Sequence, residues 1–300
     1  MASVRTWIQA FRLRTLPLAL SGIGMGNIIA FSKHTFSWLT FVLTFLTTLF
    51  LQILSNLAND YGDTQNGADH EGRKGPKRAV QSGAISLTQM KKAIYICCFL
   101  TLTSGLSLLF VSLNFSFAFL LMFIIGLAAI AAAIKYTMGK NPYGYSGLGD
   151  LFVLIFFGFV SVVGSYYLQS NEFDIILCLP SLTCGLFAVA VLNVNNIRDI
   201  ESDTIAGKIS IPVRLGLKKA KIYHYFLLII GIISTTVFTF NTTTGTYRFL
   251  FLMTLPLFAK HMNAIHKGET VEDFDPLLKQ MALLSLQFVI LYGVGILFKV

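Results

Sequence analysis

The chain has 300 residues, 55% of them apolar and only 12% charged, with 27 Phe. That balance excludes an ordinary soluble domain and places the protein among multi-spanning membrane proteins. Its net charge of +9 has no basic soluble domain to sit on, which excludes a nucleic-acid partner and points to anionic lipid or an anionic substrate.

Residues 1–15 carry Arg5, Arg12 and Arg14 among Trp7, Ile8 and Phe11, lack a cleavable signal, and suit an interfacial amphipathic helix. Nine apolar runs follow, at 16–32, 36–57, 93–113, 116–136, 149–169, 174–194, 222–240, 247–265 and 280–298. Each is long enough to cross a hydrocarbon core of roughly 30 Å. The expectation is an all-α, multi-spanning bundle of about nine transmembrane helices. With the N-terminus cytoplasmic, all but Lys33, Arg248 and Lys299 of the 23 Lys and Arg fall on inner segments, as the positive-inside rule requires. Cys97, Cys98, Cys178 and Cys184 lie inside spans without metal-type spacing and read as small buried hydrophobes.

The second run ends in polar residues that share a side. Asn56, Asp60 and Asp63 stand at i, i+4 and i+7, one turn after Gln52, so a helix stacks them on a single face. Asn195, Asp199 and Asp203, at i, i+4 and i+8, close a later run. Asn56/Asp60 and Asn195/Asp199 have identical spacing, offset by 139 residues, and each is followed by a basic, Gly-bearing loop (Arg78 and Gly83; Arg214 and Gly216). The repeat predicts one domain, 1–300, of two related halves, about 1–138 and 139–300, with a site where they meet. Between them lies a Gly- and Tyr-rich loop, Lys135 to Asp150. In the last inner segment His261 and His266 are five apart, a poor helical metal pair, and read as a solvated loop. Asp275 before Pro276 reads as the N-cap of the final helix.

Carboxylates at helix ends beside a membrane cavity need partners, because an ionised Asp at mid-membrane costs on the order of 2.5–3.5 kcal/mol. Mg²⁺ suits them: it takes oxygen ligands and bridges one or two carboxylates to phosphates. Asn56 and Asn195 add neutral oxygens or orient the carboxylates. Two such clusters with Lys77, Arg78, Lys208 and Arg214 nearby match a substrate with two linked phosphates and an apolar tail. If diphosphate departs, the carbon it leaves becomes an allylic cation, which aromatic walls shelter. Topology alone also accounts for basic residues at those positions.

These residues resemble the UbiA superfamily of intramembrane aromatic prenyltransferases, through NLANDYGD (Asn56 to Asp63), NVNNIRDIESD (Asn193 to Asp203) and RLRTLPLALSG (Arg12 to Gly22). The stretch YTMGKNPYGYSGLGDLFVLIFFG, Tyr136 to Gly158, is similar to the MenA branch, the 1,4-dihydroxy-2-naphthoate polyprenyltransferases. The resemblance implies a nine-helix bundle around a central cavity in the bacterial cytoplasmic (inner) membrane, with a cytoplasmic active site. It implies transfer of a polyprenyl group from polyprenyl diphosphate to 1,4-dihydroxy-2-naphthoate, with loss of CO₂ and diphosphate, giving demethylmenaquinone. By motif position Asp60, Asp63, Asp199 and Asp203 are catalytic and, with Asn56 and Asn195, hold Mg²⁺ and diphosphate. Lys77, Arg78, Lys208 and Arg214 then contact phosphate, and Tyr136, Tyr143, Tyr145 and Asp150 lie near the acceptor. One departure stands out: where the family often places a third Asp this chain has Gly67, and the nearest acid is Asp69. A 4-hydroxybenzoate or homogentisate acceptor is the nearest rival, and a secondary transporter the rival of another class.

Overall fold

The computed structural model describes residues 2–69 and 77–298; Arg73, Lys74 and Lys299 of the charge count lie outside the described residues. Every regular element among the described residues is helical. In chain order they are α1 (Val4–Phe11), α2 (Leu16–Ser32), α3 (Trp38–Gln65), α4 (Leu87–Ser112) and α5 (Phe117–Lys135). A sixth stretch, Gly149–Ser170, joins α6 (Gly149–Val153) to α7 (Ser161–Ser170) through π-helical Leu154–Val160. Then come α8 (Cys178–Arg198), the short α9 (Ile200–Ile205), α10 (Ile211–Thr242), α11 (Leu255–Lys267) and α12 (Val271–Leu297). Among the described residues, 8 helical stretches are long and apolar enough to cross a membrane. The remaining expected span, 247–265, is a 3₁₀ turn, Leu250–Thr254, continued by α11. Together they measure roughly 30 Å from their rises per residue, and Pro256 in the first turn of α11 suits the change of winding.

Several helices run well past the apolar runs that announce them, because capping rather than hydrophobicity decides where a helix begins. Ser86 and Gln89 cap α4 reciprocally, and Thr270 and Asp273 do the same for α12. Asp275 is therefore not the N-cap expected from sequence. It lies inside α12, five residues beyond Thr270, and pairs with arginines of the site. His261 is likewise not in a solvated loop. It is fully buried on α11, its Nε2 3.1 Å from Nε2 of His224 on α10 and its Nδ1 2.9 Å from Gln280 Oε1.

The largest core cluster joins α8, α10 and α12 around Phe187, Phe251, Phe258 and Phe288, and it takes in Leu18, Met25 and Ile29 of α2. A second cluster ties α1 to α3 and α4 through Ala10, Leu54, Leu57, Met90 and Ile94. α1 thus lies against the bundle with Val4 and Ile8 exposed, as an amphipathic surface helix should. The four cysteines are free.

Candidate active site

The end of α3 is pressed against the middle loop. Asn66 Nδ2 donates to the Thr137 carbonyl at 2.6 Å, and Thr137 Oγ1 donates to the Ala58 carbonyl at 3.0 Å. Gly62 permits this approach, since a Cβ there would lie 2.6 Å from the Thr137 carbonyl carbon. On the face so positioned, Asn56 Nδ2 donates to Phe11 O (2.9 Å) and Thr15 Oγ1 (3.1 Å), which fixes the α1–α2 link. Asp60 accepts the backbone N–H groups of Ala79 and Val80 at 3.1 and 3.3 Å, and so anchors the loop that carries Arg78. Arg78 pairs with Asp63 through Nη1 and with Asp69 through Nε at 3.2 Å. Burial opposes the Arg78 charge, yet Asp63 and Asp69 outweigh it and hold the guanidinium above its ordinary range.

The second motif is built around a residue that sequence reading left out. Arg198 donates to both Asp199 oxygens, at 2.9 and 2.7 Å, to Asn195 Oδ1 at 2.9 Å and to Asp275 Oδ1 at 2.6 Å. Arg14 Nη1 stands 3.7 Å from the other Asp275 oxygen. Lys208 Nζ lies 3.2 Å from both oxygens of Asp203 but donates to Oδ1 alone, so Oδ2 is buried without a hydrogen bond. Burial pushes the Asp203 carboxyl up to about 6; Lys208 pulls it down and Asp199 pushes it further up. Lys208 loses by burial but is held above its ordinary range, chiefly by Asp203.

Tyr145 joins the first motif to the loop that follows the second. Its hydroxyl donates to Asp63 at 2.9 Å, its carbonyl accepts the Ile209 N–H at 2.9 Å, and its ring lies 5.9 Å below Lys208 Nζ. Burial and then the Asp63 charge raise the Tyr145 phenol above its ordinary range. Both clusters open on one cavity of about 400 Å³, whose wall includes Asn56, Asp63 and Arg78 from the first and Asn195 and Lys208 from the second. One aromatic row leads inward: Tyr136 and Tyr143 edge to face at 5.4 Å, Tyr143 stacked on Phe152 at 4.0 Å, and Phe152 on Phe156 at 6.3 Å. Burial pushes the Tyr136 phenol up to about 12.

Residues 18–285 match the UbiA prenyltransferase family. The chain belongs to that family. It is 42% identical to the 1,4-dihydroxy-2-naphthoate octaprenyltransferase of Haemophilus influenzae, over 98% of this chain and 96% of that protein. It is 40% identical to the Escherichia coli protein of the same name, over 99% and 96%. A solved UbiA homolog from Archaeoglobus fulgidus, bound to GPP and Mg²⁺, shares the fold at a TM-score of 0.59 and 18% identity, covering 96% of this chain and 99% of that one.

Within this UbiA fold the expected residues divide. Asn56, Asp63, Arg78, Asn195, Lys208, Tyr136 and Tyr143 line the cavity; Asp60, Asp199 and Asp203 are buried just behind its wall. Lys77 is exposed and off the wall. Arg214 Nη2 donates to the Ser146 carbonyl at 2.8 Å, and Asp150 accepts from the Tyr223 hydroxyl at 2.9 Å, so both order the middle loop. Asp69, the acid nearest the departure at Gly67, shares Arg78 with Asp63. Arg12, read in the sequence as part of the amphipathic N-terminal helix and the RLRTLPLALSG stretch, lines the cavity mouth; it caps the C-terminal end of α1 in a left-handed backbone (φ 49°) that is rare for a non-glycine residue. That feature leaves no trace in the sequence. Arg198 did leave one, standing between Asn195 and Asp199.

Among the described residues no three His, Cys, Asp or Glu side chains converge as a closed metal site. The donor set is hard oxygen from carboxylates and amides, and in the second motif Asp203 Oδ2, 3.2 Å from Lys208 Nζ, accepts no hydrogen bond. That suits Mg²⁺, which commonly takes one or two carboxylates and completes its shell with water and substrate phosphate.

Proposed function

We infer that this protein transfers a polyprenyl group from polyprenyl diphosphate to 1,4-dihydroxy-2-naphthoate, releasing diphosphate and CO₂ and giving demethylmenaquinone in its reduced form. The observation that carries the reading is that Asn56 and Asp63 of the first motif, Asn195 of the second and Lys208 just after it line one largely apolar cavity, with Tyr145 tying Asp63 to the Lys208–Ile209 loop, in a chain 42% identical to a dihydroxynaphthoate prenyltransferase. The protein works in a bacterial inner membrane with the charged mouth on the cytoplasmic side, where the basic loops lie. It is a single domain of two related halves, about 1–138 and 139–300, with α2 packed into the core of the second.

Arg78 and Lys208 hold the diphosphate as the carbon–oxygen bond to the prenyl C1 breaks and its electron pair leaves with the phosphate. Asn56, Asp63, Asn195, Asp199 and Asp203 are the oxygens that would hold Mg²⁺, which when bound neutralises the departing charge. Asp60 positions the Arg78 loop, and Arg198 orients Asp199. Tyr143, Phe152 and Phe156 face the allylic cation with π electrons and keep water out. The naphthoate sits against Tyr136 and Tyr143, in a wall ordered by Tyr145, Asp150 and Arg214. Its ring pair forms the new carbon–carbon bond and the carboxylate leaves as CO₂.

The test is an acceptor panel on membranes containing the protein: dihydroxynaphthoate, 4-hydroxybenzoate and homogentisate, each with a polyprenyl diphosphate, with and without EDTA. Labelled CO₂ released from dihydroxynaphthoate alone, and stopped by chelation, is the expected result. Preferred turnover of another acceptor would overturn the branch, and turnover undiminished by EDTA would overturn the metal.

A further inference from the structure

The cavity runs far beyond its charged mouth. Its wall continues along α3 to Thr47 and Thr44, and Thr47 lies roughly 24 Å from Asp63 at about 1.5 Å per residue. At that depth three helices repeat one arrangement. Going inward from the mouth, α4 presents Gly105 and, one turn on, Leu108 and Leu109; α7 presents Gly164 and then Leu168. α5 runs the other way along the same wall and presents Gly126, then Met122 and Phe123. Spacings of three and four put each glycine and its bulky neighbours on one helix face. All three glycines stand roughly 9–14 Å from the far ends of their helices, which places them at one level.

These glycines do not serve close helix packing. At Gly26 an added Cβ would strike the backbone of α7, but at Gly126 or Gly164 it would meet nothing within 4 Å, and at Gly105 only the Thr47 methyl at 3.7 Å. What they leave is open bore. Behind them the bore stops: Leu108, Leu109 and Leu168 pack with Leu113 and Phe119 in a buried apolar cluster. A collar of hydrogen bonds backs that plug. Gln169 donates to Asn27 Oδ1 and accepts from the Ser37 N–H, both at 2.7 Å, and Ser112 Oγ donates to Thr40 Oγ1 at 3.3 Å, tying α2, α3, α4 and α7 together.

We propose that Gly105, Gly126 and Gly164 hold open the last stretch of a prenyl-tail tunnel, and that the leucine plug behind them sets how long a donor this protein accepts. The inference rests on the prenyl-transfer reading above and names the specificity residues of that site. A tail that left the bundle sideways between helices, into lipid, would never feel this level.

The experiment measures kcat/KM for geranyl diphosphate and octaprenyl diphosphate, with dihydroxynaphthoate as acceptor, in the parent protein and in Gly164→Leu, Gly126→Leu and Leu168→Ala. Filling the bore should lower the octaprenyl-to-geranyl ratio by about 10-fold or more, the scale on which a pocket rejects excess apolar bulk. Shaving the plug in Leu168→Ala should raise the ratio. A ratio equal to the parent's in Gly164→Leu overturns the proposal. Should Gly164→Leu turn over neither donor, an unchanged ratio in both Gly126→Leu and Leu168→Ala overturns it as well. Turnover by the parent with either donor supports the transfer reading on its own; absence of both overturns the two readings together, whereas a fixed ratio in active variants overturns the tunnel floor alone.

Discussion

Replacing Arg78 by methionine tests the charge pairing at the mouth. The Arg78 side chain is 9% exposed and touches two carboxylates, Asp63 and Asp69, that are 4% and 0% exposed. Methionine keeps the chain volume and removes the charge, so both carboxylates lose their guanidinium in a site that water hardly reaches. Removing one partner of a buried ion pair costs about 3–5 kcal/mol. Donors such as Tyr145 to Asp63 at 2.9 Å and Thr64 to Asp69 at 3.4 Å exist already in the parent and offset none of the loss. The expected outcome is a lower thermal-unfolding midpoint in detergent micelles. Acid should narrow the gap, because protonating either carboxylate removes the charge that the variant strands; the variant therefore gains on the parent as pH falls. Adding Asp69→Asn should recover part of the loss, as expected for neighbours sharing a partner. Turnover should drop by about 10²–10³, the scale seen when one preorganised donor to developing charge is removed. A midpoint shift below about 2 °C, less than 1 kcal/mol for a protein of this size, or unimpaired turnover, would refute the pairing argument.

Asp63→Asn and Asp199→Asn should each abolish prenyl transfer while the protein still inserts and purifies, checked by product formation on equal amounts of membrane protein. Tyr145→Phe removes one hydrogen bond to a carboxylate, worth about 1.5–3 kcal/mol, and should lower kcat/KM by at least 10-fold with little change in expression. Because Asp203 is pushed up to about 6, it takes a proton as pH falls through that value and loses the charge a metal needs. Activation by Mg²⁺ measured from pH 5 to 8 should therefore weaken below about pH 6, and Asp203→Asn should flatten that dependence. Arg198→Met removes the Arg198 donors from Asp199 and Asp275 and should raise the Mg²⁺ requirement more than it changes the tail-length preference.

Much of this arrangement was legible because membrane helices and repeated acidic spacings leave strong periodic signals. The nine apolar runs all correspond to helix, and of the two stacked faces Asn56, Asp63 and Asn195 line one cavity while Asp60, Asp199 and Asp203 are buried off its wall. What the sequence hides is which partner each charge takes. Asp60 accepts two backbone N–H groups, while Asp203 accepts from a lysine five residues on through one oxygen only, and no spacing rule distinguishes these fates. Asp275 looked like a cap because it precedes a proline, yet Thr270 with Asp273 forms the better reciprocal cap and frees Asp275 for Arg198. His261 looked solvated because its neighbours are polar; it turns inward because His224 and Gln280, on two other helices, offer it nitrogen and oxygen partners. Long-range choices of this kind depend on packing, which the local pattern does not encode.

The two ends of the cavity solve opposite problems, and α3 takes part in both. At Asp63 the problem is charge in a poorly solvated place, and it is met by ion pairing in which each arginine serves two carboxylates: Arg78 for Asp63 and Asp69, Arg198 for Asp199 and Asp275, and Lys208 for Asp203 alone. Under the proposed function such pairs preorganise the cations that would meet phosphate oxygens. Four to five turns away on the same helix, Thr44 and Thr47 face open bore that glycines on α4 and α7 decline to fill. An amphiphile with a charged head and a long apolar tail is thus matched along the length of one helix. The head end is specified by residues present, the tail end by side chains absent, which is why only the first announced itself in the sequence.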